Sequence, residues 1–207
     1  MDARRRRSRD RLHRAALELA GSRPPGGLTM TAIAATAGVH RTTAHEHAAA
    51  PGELVRAALA EELDELRSGL PAVGDGPDEV ARSVTRVTRG VVEHVARHAA
   101  VYRAGLSADE PAYGLHEMLS EHFRESSRIL REVAGVRAQV DVPGQDPVEV
   151  ARAAERFIAD GTVGLLADWV QGERLSVEEF LRRYVALLPT WWPRDLALVA
   201  GASGRLG

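Results

Sequence analysis

Residues 28–54 read LTMTAIAATAGVHRTTAHEHAAAPGEL, two short helical runs joined at Ala37-Gly38-Val39. Thr29 stands where a helix cap belongs, and Ile33 and Ala34 fall on the inner face of the first run. Ala34 is small where a second helix must cross close above it. Gly38 supplies the left-handed conformation that ends a helix. Val39 and Ala44 close a small core beneath the second run, from about His40 to His47. That leaves His40, Arg41, Thr42, Thr43 and His45 on its outer face. The pattern predicts a helix-turn-helix, whose second helix enters the major groove of DNA.

With its flanks, this stretch resembles the tetracycline-repressor (TetR) type of one-component regulators. The resemblance rests on the helix Arg9–Ala20 (RDRLHRAALELA), on LTMTAIAATAGV, and on Gly52-Glu53-Leu54 opening a fourth helix. It fades after that point. Three positions depart from the family: His45 replaces a usual Tyr, Ala48 a usual Phe, and Pro51 the usual Lys. In the family the Tyr and Lys commonly touch phosphate and the Phe anchors the recognition helix. These departures therefore bear on affinity and specificity more than on fold. The resemblance implies an all-α chain, with an N-terminal three-helix DNA-binding domain and a C-terminal helical domain for ligand binding and dimerisation. It also implies a small effector held by helices five to eight, which moves helix four and changes the distance between two DNA-reading heads.

Charge is divided along the chain. The net value is −2, yet residues 1–50 carry nine Arg against Asp2, Asp10, Glu18 and Glu46, a local balance of +5. A basic head on an acidic body suits a protein that presents one end to a polyanion. Arg4, Arg5, Arg6 and Arg7 read either as a solvated tail or as a phosphate or minor-groove arm. Their place before the helix-turn-helix favours the arm. The expected DNA contacts are those four, Thr29, Thr31, His40, Arg41, Thr42, Thr43, His45 and His47. All 27 basic residues are Arg.

The remaining sequence reads as helix almost throughout. The first helix is expected from Ser8 to Ala20, and the fourth opens at Pro51. Others follow over Pro77–His98, Ala99–Leu106, Glu110–Val133, Pro147–Gln171 and from Ser176 to near Leu188. Asp146-Pro147 and Ser176-Val177-Glu178-Glu179 are helix-opening signals. The domain division expected is 1–50 for DNA binding, 51–71 as a connecting helix and 72–207 for effector binding and dimerisation, with 72–78 as the boundary segment. Gly201–Gly207 reads as a loose tail. There is no cysteine, hence no disulfide or thiolate metal site, and no apolar run long enough for a membrane helix. No apolar segment follows the MDARRRR start, so a cytoplasmic location is expected.

The helix after Phe157 is apolar on most sides, as a helix buried on two faces would be. One face can meet a second copy of the chain. The expected homodimer interface is Gly161, Leu165, Leu166, Trp169, Phe180, Tyr184, Leu187 and Leu188. All nine aromatic residues lie beyond residue 100, which lets the second half line a ligand pocket. The expected pocket residues are His94, Tyr102, Tyr113, His116, Leu119, Phe123, Phe157 and Asp160, and the effector expected is small and largely apolar or aromatic. His94 and His98 have a spacing that can hold Zn²⁺ or Ni²⁺, but the sequence places no third ligand, so no metal site is expected. Neither a cofactor motif nor a catalytic one is present. The chain reads as a non-enzyme, a ligand-responsive repressor of double-stranded operator DNA. The alternative is a helical ligand-binding or interaction protein whose helix-turn-helix, altered at His45, Ala48 and Pro51, binds DNA weakly.

Overall fold

A computed structural model describes residues 3–109, 111–172 and 176–195. The regular elements among them are nine α-helices and one 3-10 turn, with no strand. They are α1 (Ala3–Ser22), α2 (Met30–Ala37), α3 (Arg41–His47), α4 (Pro51–Arg67), α5 (Pro77–Arg97), α6 (Ala99–Gly105), α7 (Leu115–Ala134), α8 (Pro147–Gln171) and α9 (Val177–Leu187). The tail expected at Gly201–Gly207 lies outside the described residues, as does Glu110. No helix among the described residues is long and apolar enough to cross a membrane.

Two compact units divide the chain. The first draws on residues up to Glu62 and on Arg97–Met118, the second on Leu63–Ala96 and on the chain from Leu119 onward. The 72–78 segment, where composition suggested a boundary, lies inside the second unit.

In the first unit, α1 packs on α2, α3 and α6. Its buried stripe is Leu12, Ala15, Ala16, Leu19 and Ala20, at the three- and four-residue spacing of one helix face. Ile33, Ala34, Ala44, Leu54, Val55, Val101 and Tyr102 complete the core. Helix α1 begins five residues earlier than the apolar pattern indicates, because the arginines are good helix formers even with no apolar face to bury. Helix α7 begins five residues later than expected. Tyr113 and Gly114 both adopt a left-handed φ of 62°, which no helix can contain.

The second unit is built from amphipathic helices. Val80 and Val84 of α5 meet Leu130 of α7, with Leu70, Val136 and Trp192 against them. From α8 come Ala159, Thr162, Val163 and Leu166, and from α9 Phe180, Leu181 and Tyr184. Ser176 and Glu179 form the reciprocal cap that starts α9. Arg89 joins Glu178 at 2.9 Å, tying α5 to that helix start.

Gly38 is tightly constrained in the first unit. It has φ 60° and ψ 43°, and an added Cβ would run into the Arg11 guanidinium. Gly38→Ala should lower stability by roughly 1–2 kcal/mol from the left-handed strain alone, read as a lower urea midpoint.

Candidate functional site

The helix-turn-helix is assembled from short-range hydrogen bonds. Thr29 Oγ1 accepts from the Ala32 N–H at 3.2 Å and so caps α2. At the other end the Gly38 and Val39 N–H groups donate to Ala35 and Ala34, at 3.1 and 3.0 Å. These bonds satisfy the last carbonyls of α2 and turn the chain. Arg11 Nη2, from α1, donates to the Gly38 carbonyl at 2.9 Å. Helix α3 then leaves the turn with His40 as its cap residue and only Ala44 fully buried.

That leaves one face of α3 open. His40, Arg41, Thr42 and His45 are exposed, and Thr43 and His47 are half-buried. Arg41 Nε donates to His45 Nε2 at 3.4 Å, so the two side chains lie side by side one turn apart. Thr29 and Thr31 are exposed near the start of α2. Arg4, Arg5, Arg6 and Arg7 are helical and exposed in the first turns of α1, where the sequence allowed a tail. The His47 imidazole is held below its ordinary pKa, first by burial and then by the nearby positive charge of Arg5 and of His13. Cationic groups from α1 therefore gather at the end of α3.

A cavity opens within the second unit, walled by α5, α7, α8 and α9. Its apolar wall includes Val87, Val91, Phe123, Leu130, Ile158, Leu166, Phe180 and Trp192. The polar groups among them are Thr88, His122, Ser126, Ser127, Thr162 and Tyr184. Ser126 donates to the His122 carbonyl at 2.8 Å, Ser127 to Phe123 at 3.0 Å and Thr162 to Ile158 at 2.7 Å. The Tyr184 hydroxyl lies 3.2 Å from Thr162 Oγ1. His122 is only 6% exposed, and burial, then Arg67 and His94, push its imidazole down to a pKa of about 4. Its Nδ1 sits 3.4 Å from Arg67 Nη1. A guanidinium only donates, so Nδ1 accepts and the ring proton resides on Nε2.

Of the residues expected in a pocket, Phe123 is on the cavity wall. Leu119 and His94 are buried in the second unit without lining it. Tyr102 and Tyr113 belong to the first unit instead. Tyr102 is fully buried in α6, and the Tyr113 ring lies so close to Gly52 that a Cβ there would be 3.2 Å away. His116 is exposed, also in the first unit, where His98 pairs with Glu62 at 3.0 Å. Phe157 is 81% exposed, and Asp160 pairs with Arg156. The cause is helix geometry. Each residue of α8 turns the direction by about 100°, so with Ile158, Thr162 and Leu166 facing inward, Phe157 and Gly161 face out.

The same rotation sorts the expected interface residues. Leu166, Phe180 and Tyr184 are buried in the chain's own core and line the cavity. Gly161 and Leu187 are exposed, and Leu165, Trp169 and Leu188 are half-buried. The sequence reasoning missed His122 and the serines beside it. The available signal was their four-residue spacing on α7, His122 to Ser126 and Phe123 to Ser127, small polar groups on an otherwise apolar stripe.

No protein-family model matches the chain, and no curated protein matches it in sequence. Solved structures do match its fold. The dihydroxyacetone kinase operon activator DhaS aligns with a TM-score of 0.61 and 12% identity, over 87% of this chain and 93% of that one. A TetR transcriptional regulator from Rhodococcus sp. RHA1 gives 0.57 and 20% identity, over 89% and 97%. The fatty acid degradation regulator FadR from Bacillus halodurans gives 0.57 and 16%, over 94% and 95%. The chain has the fold of TetR-type regulators.

His122 makes stability depend on pH. As pH falls from 6.5 toward about 4, the unfolded chain takes up a proton that the folded imidazole refuses. Its contribution is present above the unfolded value and is lost on acidification. Between pH 7 and pH 5 the native protein should lose roughly 2 kcal/mol through this group. Urea midpoints at the two pH values should show it, and His122→Gln should flatten the difference.

Proposed function

We propose that the protein is a transcriptional regulator, a homodimer that binds double-stranded operator DNA and releases it when a small molecule enters the second unit's cavity. Repression is the direction proposed. Residues 1–50 act as the DNA-reading head, 51–71 as the connecting helix, and 72–207 carry the effector site and the dimer interface. The observation that carries the reading is the open face of α3, whose Arg41, Thr42 and His45 are exposed. Such groups read base edges and phosphates in a major groove.

The start of α1 supports the same reading. Four arginines occupy the first turns of a helix with no acidic residue there, so positive side chains sit at the positive end of the helix dipole. Isolated, that arrangement is unfavourable. A phosphate backbone relieves it, with Arg4–Arg7 lying along the duplex flank and Thr29, Thr31, Thr43 and His47 adding contacts from the helix-turn-helix.

Two recognition helices on successive major grooves require a dimer. The outward face of α8 and α9 suits one. Phe157 and Leu187 are 81% and 63% exposed, and a Cβ added at Gly161 or Gly164 would meet nothing within 4 Å, so neither glycine is covered by the chain's other side chains. The effector and the operator are then thermodynamically linked, so each weakens binding of the other by the same factor.

DNA fragments selected from a random pool by the purified protein should share one sequence. Arg41→Ala should weaken binding to it about tenfold or more while leaving the far-ultraviolet dichroism unchanged. Affinity of the native protein should fall steeply with salt as counterions are released. Selection of no common sequence at physiological salt would overturn the reading.

Assembly is tested separately. Sedimentation should give twice the 22.4 kDa chain mass. Leu187→Arg should return a folded monomer with greatly reduced operator affinity, because a buried unpaired charge is costly.

A further inference from the structure

The hydrogen-bond donors of the cavity wall are mostly consumed within the wall itself. Ser126, Ser127 and Thr162 each direct their single hydroxyl proton to a carbonyl of their own helix. With the Thr162 proton directed to Ile158, the Tyr184 hydroxyl is the donor in their mutual bond. Thr88 has a hydroxyl that can give or accept, so it sets no polarity. His122 differs from the rest. Its Nδ1 accepts from Arg67, and its Nε2–H has no hydrogen-bond partner among the described residues. His122, 6% exposed, therefore presents one unused donor to the chamber it lines, and no Asp, Glu or Arg is among the described lining residues.

We infer that the cavity's ligand is an uncharged, mainly hydrocarbon molecule bearing one hydrogen-bond acceptor, such as an ester or ketone carbonyl, which accepts the His122 Nε2 proton. This rests on the reading of the cavity as the effector site. An acceptor is required because an ether, hydroxyl or carbonyl oxygen satisfies the donor, whereas a pure hydrocarbon leaves it unpaired. A carboxylate is excluded by the geometry on the ring's other side. To neutralise an anion, His122 would have to carry a proton on Nδ1 as well, and that proton would point at the Arg67 N–H 3.4 Å away. An ammonium finds no carboxylate on the wall. The ammonium would be stripped of water without a counter-charge, and an anion would meet the Arg67 charge only across the imidazole, a loss of hydration that costs more than the apolar contacts return.

Calorimetric titration of the full chain at pH 7.5 with four chain-matched probes tests this: octane, methyl octanoate, octanoate and octylamine. Methyl octanoate should bind about tenfold tighter than octane, the value of one buried hydrogen bond. Octanoate and octylamine should bind at least tenfold more weakly than octane. In His122→Leu the ester-to-octane ratio should fall to about one, and in His122→Gln, which keeps an N–H donor, part of the preference should survive. Octanoate binding as tightly as the ester would overturn the inference, as would an ester preference that persists in His122→Leu. Octane binding with no gain for the ester in the native protein would overturn it too, yet leave the effector cavity standing. Failure of all four probes to bind would instead remove the effector-site reading, and this inference with it.

Discussion

Gly38 leaves α2 in the left-handed region while Arg11, reaching from α1, donates to its carbonyl, and the direction of the whole outward face follows from that pair. Helix α3 has seven residues and fully buries only Ala44. A helix that short does not persist alone in water, since so few bonds cannot offset nucleation. Its position is imposed by the turn before it and by α1 beneath it. The economy of that support is also what leaves most of α3 open. One small residue anchors it, and most of the others can face a partner.

In the second unit the cavity lining satisfies most of its polar groups from within. Burying a hydroxyl without a partner costs on the order of 1–3 kcal/mol, and the lining meets this by folding Ser126, Ser127 and Thr162 back onto their own helix carbonyls. Such bonds make a polar sequence behave as an apolar surface. His122 is the exception because an imidazole has two nitrogens, and only one is answered from within the wall by Arg67. The donors of the chamber left unused are thus the His122 ring N–H and the Thr88 hydroxyl.

The helix-turn-helix was legible because each of its signals is local: a cap at Thr29, a glycine at Gly38, a small residue at Ala34 and another at Ala44. The helix starts at Pro147 and Ser176 were legible for the same reason, their caps lying within three residues of the chain. Local signals also explain two shifted boundaries. The apolar pattern is silent over Arg4–Arg7, although the helix continues there, and composition gave no warning that Tyr113 would adopt a positive φ. The pocket residues were less legible, since lining a cavity depends on which way each helix is rotated. One residue of rotation separates the exposed Phe157 from the inward Ile158, and an α8 apolar on most sides carries no moment strong enough to choose between them. Aromatic content pointed to the second half of the chain, but Tyr102 and Tyr113 belong to the other unit.

That α6 is part of the first unit, packed on α1 although some eighty residues later in the chain, has an evolutionary consequence. A recombination event joining the first fifty residues of one such chain to the remainder of another looks natural from the linear order of helices. Here it would place α1 against a foreign α6, in place of the Val101, Tyr102 and Gly105 that are buried in this one. Crossover points that respect the packing must carry two separate stretches of gene together.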